Sequence, residues 1–131
     1  MRNCRIPECP NEVAGNQGQR YCPSHFMEPA RRRQAWHEEH REEKAAHQAQ
    51  RRLEARVYFA LVKLERGCAD CPPGSWWPPV CLDFDHVRGE KLYDVSCMTR
   101  RSWAAIDAEI AKCDVVCSNH HRIRTHERGS A

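Results

Sequence analysis

Long apolar runs are missing from this sequence. Nowhere does it reach the ~18 consecutive apolar residues that a membrane-spanning helix needs, so it is expected to have no membrane partner. Apolar material is scarce throughout: of 131 residues, 40% are hydrophobic and 8% aromatic, against 30% charged, and the mean hydropathy is −0.83. A chain of this size and polarity needs a source of stability other than one conventional core. Charge of one sign is also lacking, since 21 Lys and Arg face 18 Asp and Glu for a net +3. Nucleic-acid coating by net charge alone is thereby excluded, and any such contact must come from local basic patches. The first residues, MRNCRIPECP, hold no apolar run of the signal-peptide kind, and the expectation is a cytoplasmic protein. Thiols stay reduced there, so disulfides are the weaker reading of the cysteines, and their odd number agrees. What the chain has in excess is 9 Cys and 8 His, which points to metal.

Residues 1–27 are rich in turn formers (Pro7, Pro10, Asn11, Gly15, Asn16, Gly18, Pro23) and have nothing to bury. They do contain Cys4, Cys9, Cys22 and His25, in the pattern C-x4-C-x12-C-x2-H. Thiolate and imidazole are ligands zinc prefers, and four of them close a tetrahedral structural site. The alternative is surface cysteines without metal. The spacing resembles small CCCH fingers of the treble-clef type, which implies metal binding and no more.

Residues 28–66 form a connector. Pro29 suits a first helical position, and no Pro or Gly follows until Gly67, so a single long helix is expected over 29–66, with a break midway allowed. Leu53, Val57, Leu61 and Leu64, with Tyr58 and Val62 alongside, recur at helical spacing and predict the face that packs on the following domain. Arg31, Arg32 and Arg33 are candidates to grip phosphates; a solvated helix with its arginines balanced by glutamates is the equal alternative. His37-Glu38-Glu39-His40 mimics the zinc-protease motif H-E-x-x-H but is one residue short, so these histidines are expected to be exposed.

Residues 67–131 are the most specific part. Cys68 and Cys71 form one C-x2-C knuckle; Cys117 and His120 repeat the two-residue gap 45 residues later, and together they make a second four-ligand zinc set. Cys113 is the alternative fourth ligand, with His120 freed. Between the half-sites, Cys81–His86 alternates as a strand does, with Leu82 and Phe84 on one face and Asp83 and Asp85 on the other. A short helix is expected over 103–112, a strand at Val115 and Val116, and a helix over 118–127 with Ser118 as its cap. Trp76 and Trp77 are expected to pack rather than to stack on a base.

This order of knuckle, Asp-His strand, short strand and C-x-N-x-H helix resembles the HNH endonuclease family, in particular its phage and bacterial group. The motifs carrying the resemblance are Gly67-Cys68-Ala69-Asp70-Cys71, Leu82 to His86 with Gly89-Glu90-Lys91, Glu109-Ile110-Ala111-Lys112-Cys113, and Val115 to Thr125. Two departures stand out: His120 occupies a position where the family usually has Cys, and Lys112 stands where many members have Asn. With the finger and the helix read above, the resemblance completes an expected small zinc-stabilised α+β protein of three parts: a treble-clef-like finger at 1–27, a long basic helix at 28–66 and an HNH ββα-metal domain at 67–131. It implies Mg²⁺ or Mn²⁺ on Asp85 and His121, His86 as general base, and Asn119 orienting a loop or the attacking water. Lys91, Arg122 and Arg124 would then face phosphates of a DNA substrate. Phosphodiester hydrolysis needs both a base and a divalent cation, and histidine titrates in a range suited to the first task.

The leading expectation is a metal-dependent DNA endonuclease that nicks as a monomer. A homodimer, or a partner in a phage assembly within the host cytoplasm, would extend it. The first alternative is a catalytically inactive zinc- and DNA-binding scaffold in phage packaging or replication. The second is a junction-resolving nuclease, which branched DNA would distinguish.

Overall fold

A computed structural model describes residues 2–13 and 18–129; Gly15 and Asn16, expected in a turn, lie outside them. The chain divides into two compact units, Met1–Ala45 and Ala46–Ala131. No helix among the described residues is long and apolar enough to cross a membrane.

The first unit opens with a minimal antiparallel hairpin, β1 (Arg2–Asn3) and β2 (Glu12–Val13), in the register Arg2↔Val13. Glu8, with φ of 61°, makes the turn between them, and a 3-10 turn at Pro23–His25 follows. Among the described residues the buried side chains grouped here are Cys4, Val13 and Cys22, so the thiols are themselves at the centre of the unit. Helix α1 (Glu28–Glu39) starts with Pro29 in its first turn, where the missing N–H costs nothing. It ends at His40, whose ring stacks on Trp36 at 4.2 Å while its Nδ1 lies 2.7 Å from the Trp36 carbonyl. The expected single helix is therefore two: α2 (Arg41–Arg66) begins directly after this side-chain cap.

In the second unit α2 ends as its sequence demands. Gly67 takes φ of +64°, a left-handed conformation that glycine adopts without strain, and its N–H closes the helix on the Lys63 carbonyl at 2.9 Å. The buried face of α2 is Ala55, Phe59 and Val62, packed with Val95, Met98, Ile106, Ile110 and Cys113. That corrects the sequence expectation in part: of the expected face Val62 is buried and Tyr58 packs against the cluster, but Leu53, Val57, Leu61 and Leu64 stay 56, 50, 58 and 43% exposed. Two apolar stripes run along opposite sides of α2, and the core takes the one that carries the aromatic ring. Helix α3 (Trp103–Ile110) is capped by Ser102, whose Oγ accepts from the Ala105 N–H at 3.2 Å.

Strands β3 (Leu82–His86) and β4 (Cys113–Cys117) pair antiparallel, Leu82 opposite Cys117 and His86 opposite Cys113. Helix α4 (Ser118–Gly129) follows at once. Ser118 does not cap it in the expected way; its hydroxyl donates to the Cys81 carbonyl at 3.3 Å. Strand alternation gives the sheet two unlike faces. Phe84 and His86 look toward α2 and α3, and Leu82 on the same face packs with Val115, Cys117 and Trp77, while Asp83 and Asp85 look toward α4.

Candidate functional site

Each unit holds one Cys3His cluster. In the first, Cys9 Sγ lies 3.9 Å from Cys22 Sγ, and His25 Nδ1 lies 3.7, 3.4 and 3.3 Å from the sulfurs of Cys4, Cys9 and Cys22. In the second, Cys71 Sγ is 3.8 Å from Cys117 Sγ, and His120 Nδ1 is 3.6, 3.4 and 3.1 Å from those of Cys68, Cys71 and Cys117. Tetrahedral zinc with ordinary Zn–S and Zn–N bonds would hold sulfurs about 3.8 Å apart and each nitrogen about 3.6 Å from them. Both donor sets fit that ion. Burial would raise the Cys22 thiol, but Asn11 Nδ2 and the His25 amide outweigh it and bring it down to about 6. Cys68 likewise comes down to about 6, against the effect of burial, through the amides of Cys117 and Asp70 and the neighbouring Cys71. Thiols that ionise this readily are prepared as metal ligands.

The fourth position of the second cluster is occupied by His120, not Cys113. Cys113 is 1% exposed in the core; burial, with the charge of Glu109, raises its thiol to about 11. Trp77 packs on this cluster and donates Nε1–H to Cys71 Sγ at 3.3 Å, whereas Trp76 is exposed.

The cluster closes on both sides of the β4–α4 junction, so it sets how α4 leaves the sheet. Three α4 residues at i, i+3 and i+7, namely His121, Arg124 and Arg128, then meet the acidic face of β3–β4. His121 Nδ1 is 3.1 Å from Asp83 Oδ2, and its Nε2 is 3.8 Å from Asp85 Oδ1. Asp85 is 3% exposed and directly opposite Asp114 across the ladder, a like-charge pair that would destabilise the sheet if left alone. Arg124 Nη1 bridges them, 3.0 Å from Asp85 Oδ2 and 3.1 Å from Asp114 Oδ2, while its Nε and Nη2 both reach Asp70 at 2.6 Å. Arg128 adds a two-point contact to Asp85, at 2.8 and 2.7 Å. The Arg128 guanidinium, with Arg124 behind it, holds the Asp85 carboxyl below the usual range despite the opposing effect of burial.

On the opposite sheet face, His86 Nε2 lies 2.8 Å from Oε1 of Glu109, which is 2% exposed. The same oxygen accepts from the Leu92 and Tyr93 amides, and Oε2 takes Lys112 Nζ at 2.8 Å. Lys112 in the first place, joined by those amides and His86, overcomes burial and brings Glu109 down to about 2. An ionised carboxylate there requires a proton on Nε2, which leaves Nδ1 as the nitrogen able to accept one. Glu109 was missed as a site residue in the sequence. Its signal was a charged i, i+3 pair with Lys112 at the end of a mostly apolar helix. Lys112 also donates to the Glu90 carbonyl at 2.7 Å, tying down the loop after His86.

The remaining candidates are dispersed. Arg124, expected to face a phosphate, has its guanidinium taken up by three carboxylates. Asn119 is exposed and lines a shallow depression with Trp77, Cys81, Cys117 and Ser118, about 200° around α4 from His121. Arg122 is exposed, and Lys91 pairs with Asp94 at 2.5 Å. Arg31, Arg32 and Arg33 are exposed on α1, with Arg32 held by Glu28 at 2.9 Å. In the false H-E-x-x-H segment, His37 Nδ1 meets Lys44 at 2.6 Å and His40 meets a carbonyl, so the two share no site.

Asp85 and His121 offer a divalent cation one oxygen and one nitrogen, a donor pair suited to Mg²⁺ or Mn²⁺ completed by water. Among the described residues, only the two Cys3His groups bring three or more ligand atoms within 4.8 Å of one another. No protein-family model, no curated protein and no solved structure matches this chain.

Proposed function

We propose that this protein is a metal-dependent DNA endonuclease of the HNH kind, with a treble-clef-like zinc finger joined to a ββα-metal unit. The observation that carries the reading is the meeting of Asp85 and His121 across the zinc-anchored sheet and helix; His86 follows Asp85 at the end of β3, its ring oriented from the other sheet face by a buried carboxylate. A divalent cation on Asp85 and His121 would supply Lewis-acid stabilisation of the developing charge on the scissile phosphate. His86 accepts the proton of the attacking water at Nδ1, while Glu109 keeps the other nitrogen protonated and stabilises the imidazolium that forms. Lys112 and the Leu92 and Tyr93 amides keep Glu109 ionised and in place. Exposed Arg122 and Lys91, and Arg31, Arg32 and Arg33 on α1, are the surface cations available to phosphates. Their contacts position the substrate without reading its bases.

Supercoiled plasmid incubated with the zinc-loaded protein and Mn²⁺ or Mg²⁺ tests the proposal. Nicked circles are expected, with a loss of roughly 10²–10⁴-fold in rate for His86→Ala. Unchanged plasmid, or nicking that persists in His86→Ala, overturns the mechanism.

One observation favours a second reading, a non-catalytic DNA-binding scaffold: guanidinium groups engage both oxygens of Asp85, as in a structural ion-pair network. That reading predicts DNA binding indifferent to changes at Asp85 and His86 but lost on zinc chelation.

A further inference from the structure

Arg124 and Arg128 both hold Asp85, but they are not equivalent. Arg124 is 18% exposed and fixed at every nitrogen by Asp70, Asp85 and Asp114, so its guanidinium has carboxylates on all sides. Arg128 is 49% exposed, sits in the last turn of α4, and has Asp85 as its carboxylate partner. Arg124 neutralises the crossing of Asp85 and Asp114 whatever else binds. Arg128 faces solvent, and its long stem can swing outward from the last turn of the helix without disturbing the core.

Any divalent cation that takes Asp85 together with His121 must use carboxylate oxygens to which Arg128 already donates. Oδ1, the oxygen 3.8 Å from His121 Nε2, is the one that receives Arg128 Nη1 at 2.8 Å. A guanidinium and a divalent cation cannot both sit against that oxygen on the His121 side without strong like-charge repulsion.

We infer that Arg128 is an exchangeable counterion of the site: it neutralises Asp85 in the cation-free protein, gives way when a divalent cation binds, and then presents its guanidinium to a nucleic-acid phosphate. Cation binding and phosphate binding are thereby coupled through one side chain, since each releases what the other needs. A phosphate that draws Arg128 away uncovers Asp85 for the cation; a cation that displaces Arg128 supplies a free guanidinium to the phosphate. This positioning role rests on the proposed use of Asp85 and His121, and its test does not require cleavage.

The experiment measures Mn²⁺ binding by the zinc-loaded full-length protein, without DNA, from the electron paramagnetic resonance signal of free Mn²⁺. Wild type is compared with Arg128→Ala, Arg128→Lys, Asp85→Asn and, as a like-charge control on the same helix, Arg122→Ala. Arg128→Ala should bind Mn²⁺ roughly three- to tenfold more tightly, the loss of a partly solvated competing charge, with Arg128→Lys between it and wild type. Arg122→Ala should change affinity less, and Asp85→Asn should lose the site. Equal or weaker Mn²⁺ binding by Arg128→Ala, with the site still lost in Asp85→Asn, overturns the exchange while leaving the cation site standing. Mn²⁺ binding indifferent to Asp85→Asn overturns both the exchange and the proposed cation site.

A second measurement uses the His86→Ala background, so that the DNA stays intact. Mn²⁺ should strengthen binding to a linear duplex, and Arg128→Ala should remove most of that gain; an undiminished gain overturns the delivery of Arg128 to phosphate.

Discussion

Helix α2 carries two apolar stripes, and truncating one residue from each decides which holds the second unit together. Phe59 is 6% exposed, packs with Val95, Met98, Ile106 and Ile110, and meets Phe84 edge-on with centroids 6.2 Å apart. Truncating a buried Phe to Ala costs about 3–5 kcal/mol, and the edge-to-face pair accounts for about 0.5–1.5 kcal/mol of that. Leu61, 58% exposed, gives up little on truncation, and Ala is an equally good helix former, so Leu61→Ala should stay within about 0.5 kcal/mol of wild type. Urea unfolding at neutral pH, with reductant and a fixed excess of zinc, reads the difference by circular dichroism. For an m-value near ~2 kcal/mol/M, Phe59→Ala should lower the midpoint by roughly 1.5 M or more, and Leu61→Ala by under roughly 0.3 M. The zinc ligands are untouched in both variants, so metal affinity enters the two comparisons equally. A Leu61→Ala midpoint lowered as far as that of Phe59→Ala would refute the burial argument, because it would mean that the leucine stripe, not the Phe59 face, lies in the core.

Two further outcomes follow from the polar sites. Glu109 is held at about 2, against an ordinary value near ~4.3, so its contribution to stability is fully present above the ordinary value and is lost as pH falls from there through about 2. Its carboxyl carbon, followed by NMR in zinc-supplemented buffer from pH 7 to 4, should therefore show no titration midpoint, and a midpoint above 4 contradicts the clasp with Lys112 and the two amides. Metal analysis of the reduced protein should give two zinc ions per chain, and Cys117→Ser should leave one while loosening the β4–α4 junction. Two ions retained by that variant would remove Cys117 from the ligand set.

What the sequence made legible follows from how local each signal is. Zinc ligands come in knuckles with two or four residues between them, so Cys4 with Cys9, Cys22 with His25, Cys68 with Cys71 and Cys117 with His120 announce themselves without any knowledge of the fold. The period-two alternation of Leu82-Asp83-Phe84-Asp85-His86 likewise revealed both a strand and its two faces. Non-local choices were hidden. Leu53, Val57, Leu61 and Leu64 make a stronger helical stripe than Ala55, Phe59 and Val62, and only the distant Val95, Met98 and α3 select the second. Glu109 looked like one acid in a helix because its partners, His86, Leu92 and Tyr93, approach from a strand and a loop elsewhere in the chain. Arg124 read as a phosphate contact for a similar reason. A cation next to a proposed nuclease site suggests substrate until Asp70 and Asp114 are seen to converge on it.

The scarcity of apolar residues has a specific consequence in α4. This helix of 12 residues buries none of them, and yet it holds His121 Nε2 3.8 Å from Asp85 Oδ1. Hydrophobic docking, the usual way to fix a helix on a sheet, is not used. Coordination at Cys117 and His120 would fix the start of the helix, and ion pairs from Arg124 and Arg128 to Asp70, Asp85 and Asp114 hold the remainder. Such an attachment is directional, because each guanidinium and each thiolate accepts few geometries, whereas an apolar stripe tolerates rotation about the helix axis. It is also sensitive to charge: a cation arriving at Asp85 alters the forces that keep the last turn of α4 in place. A helix docked by leucines would be indifferent to that event, and one docked by arginines on Asp85 would not be.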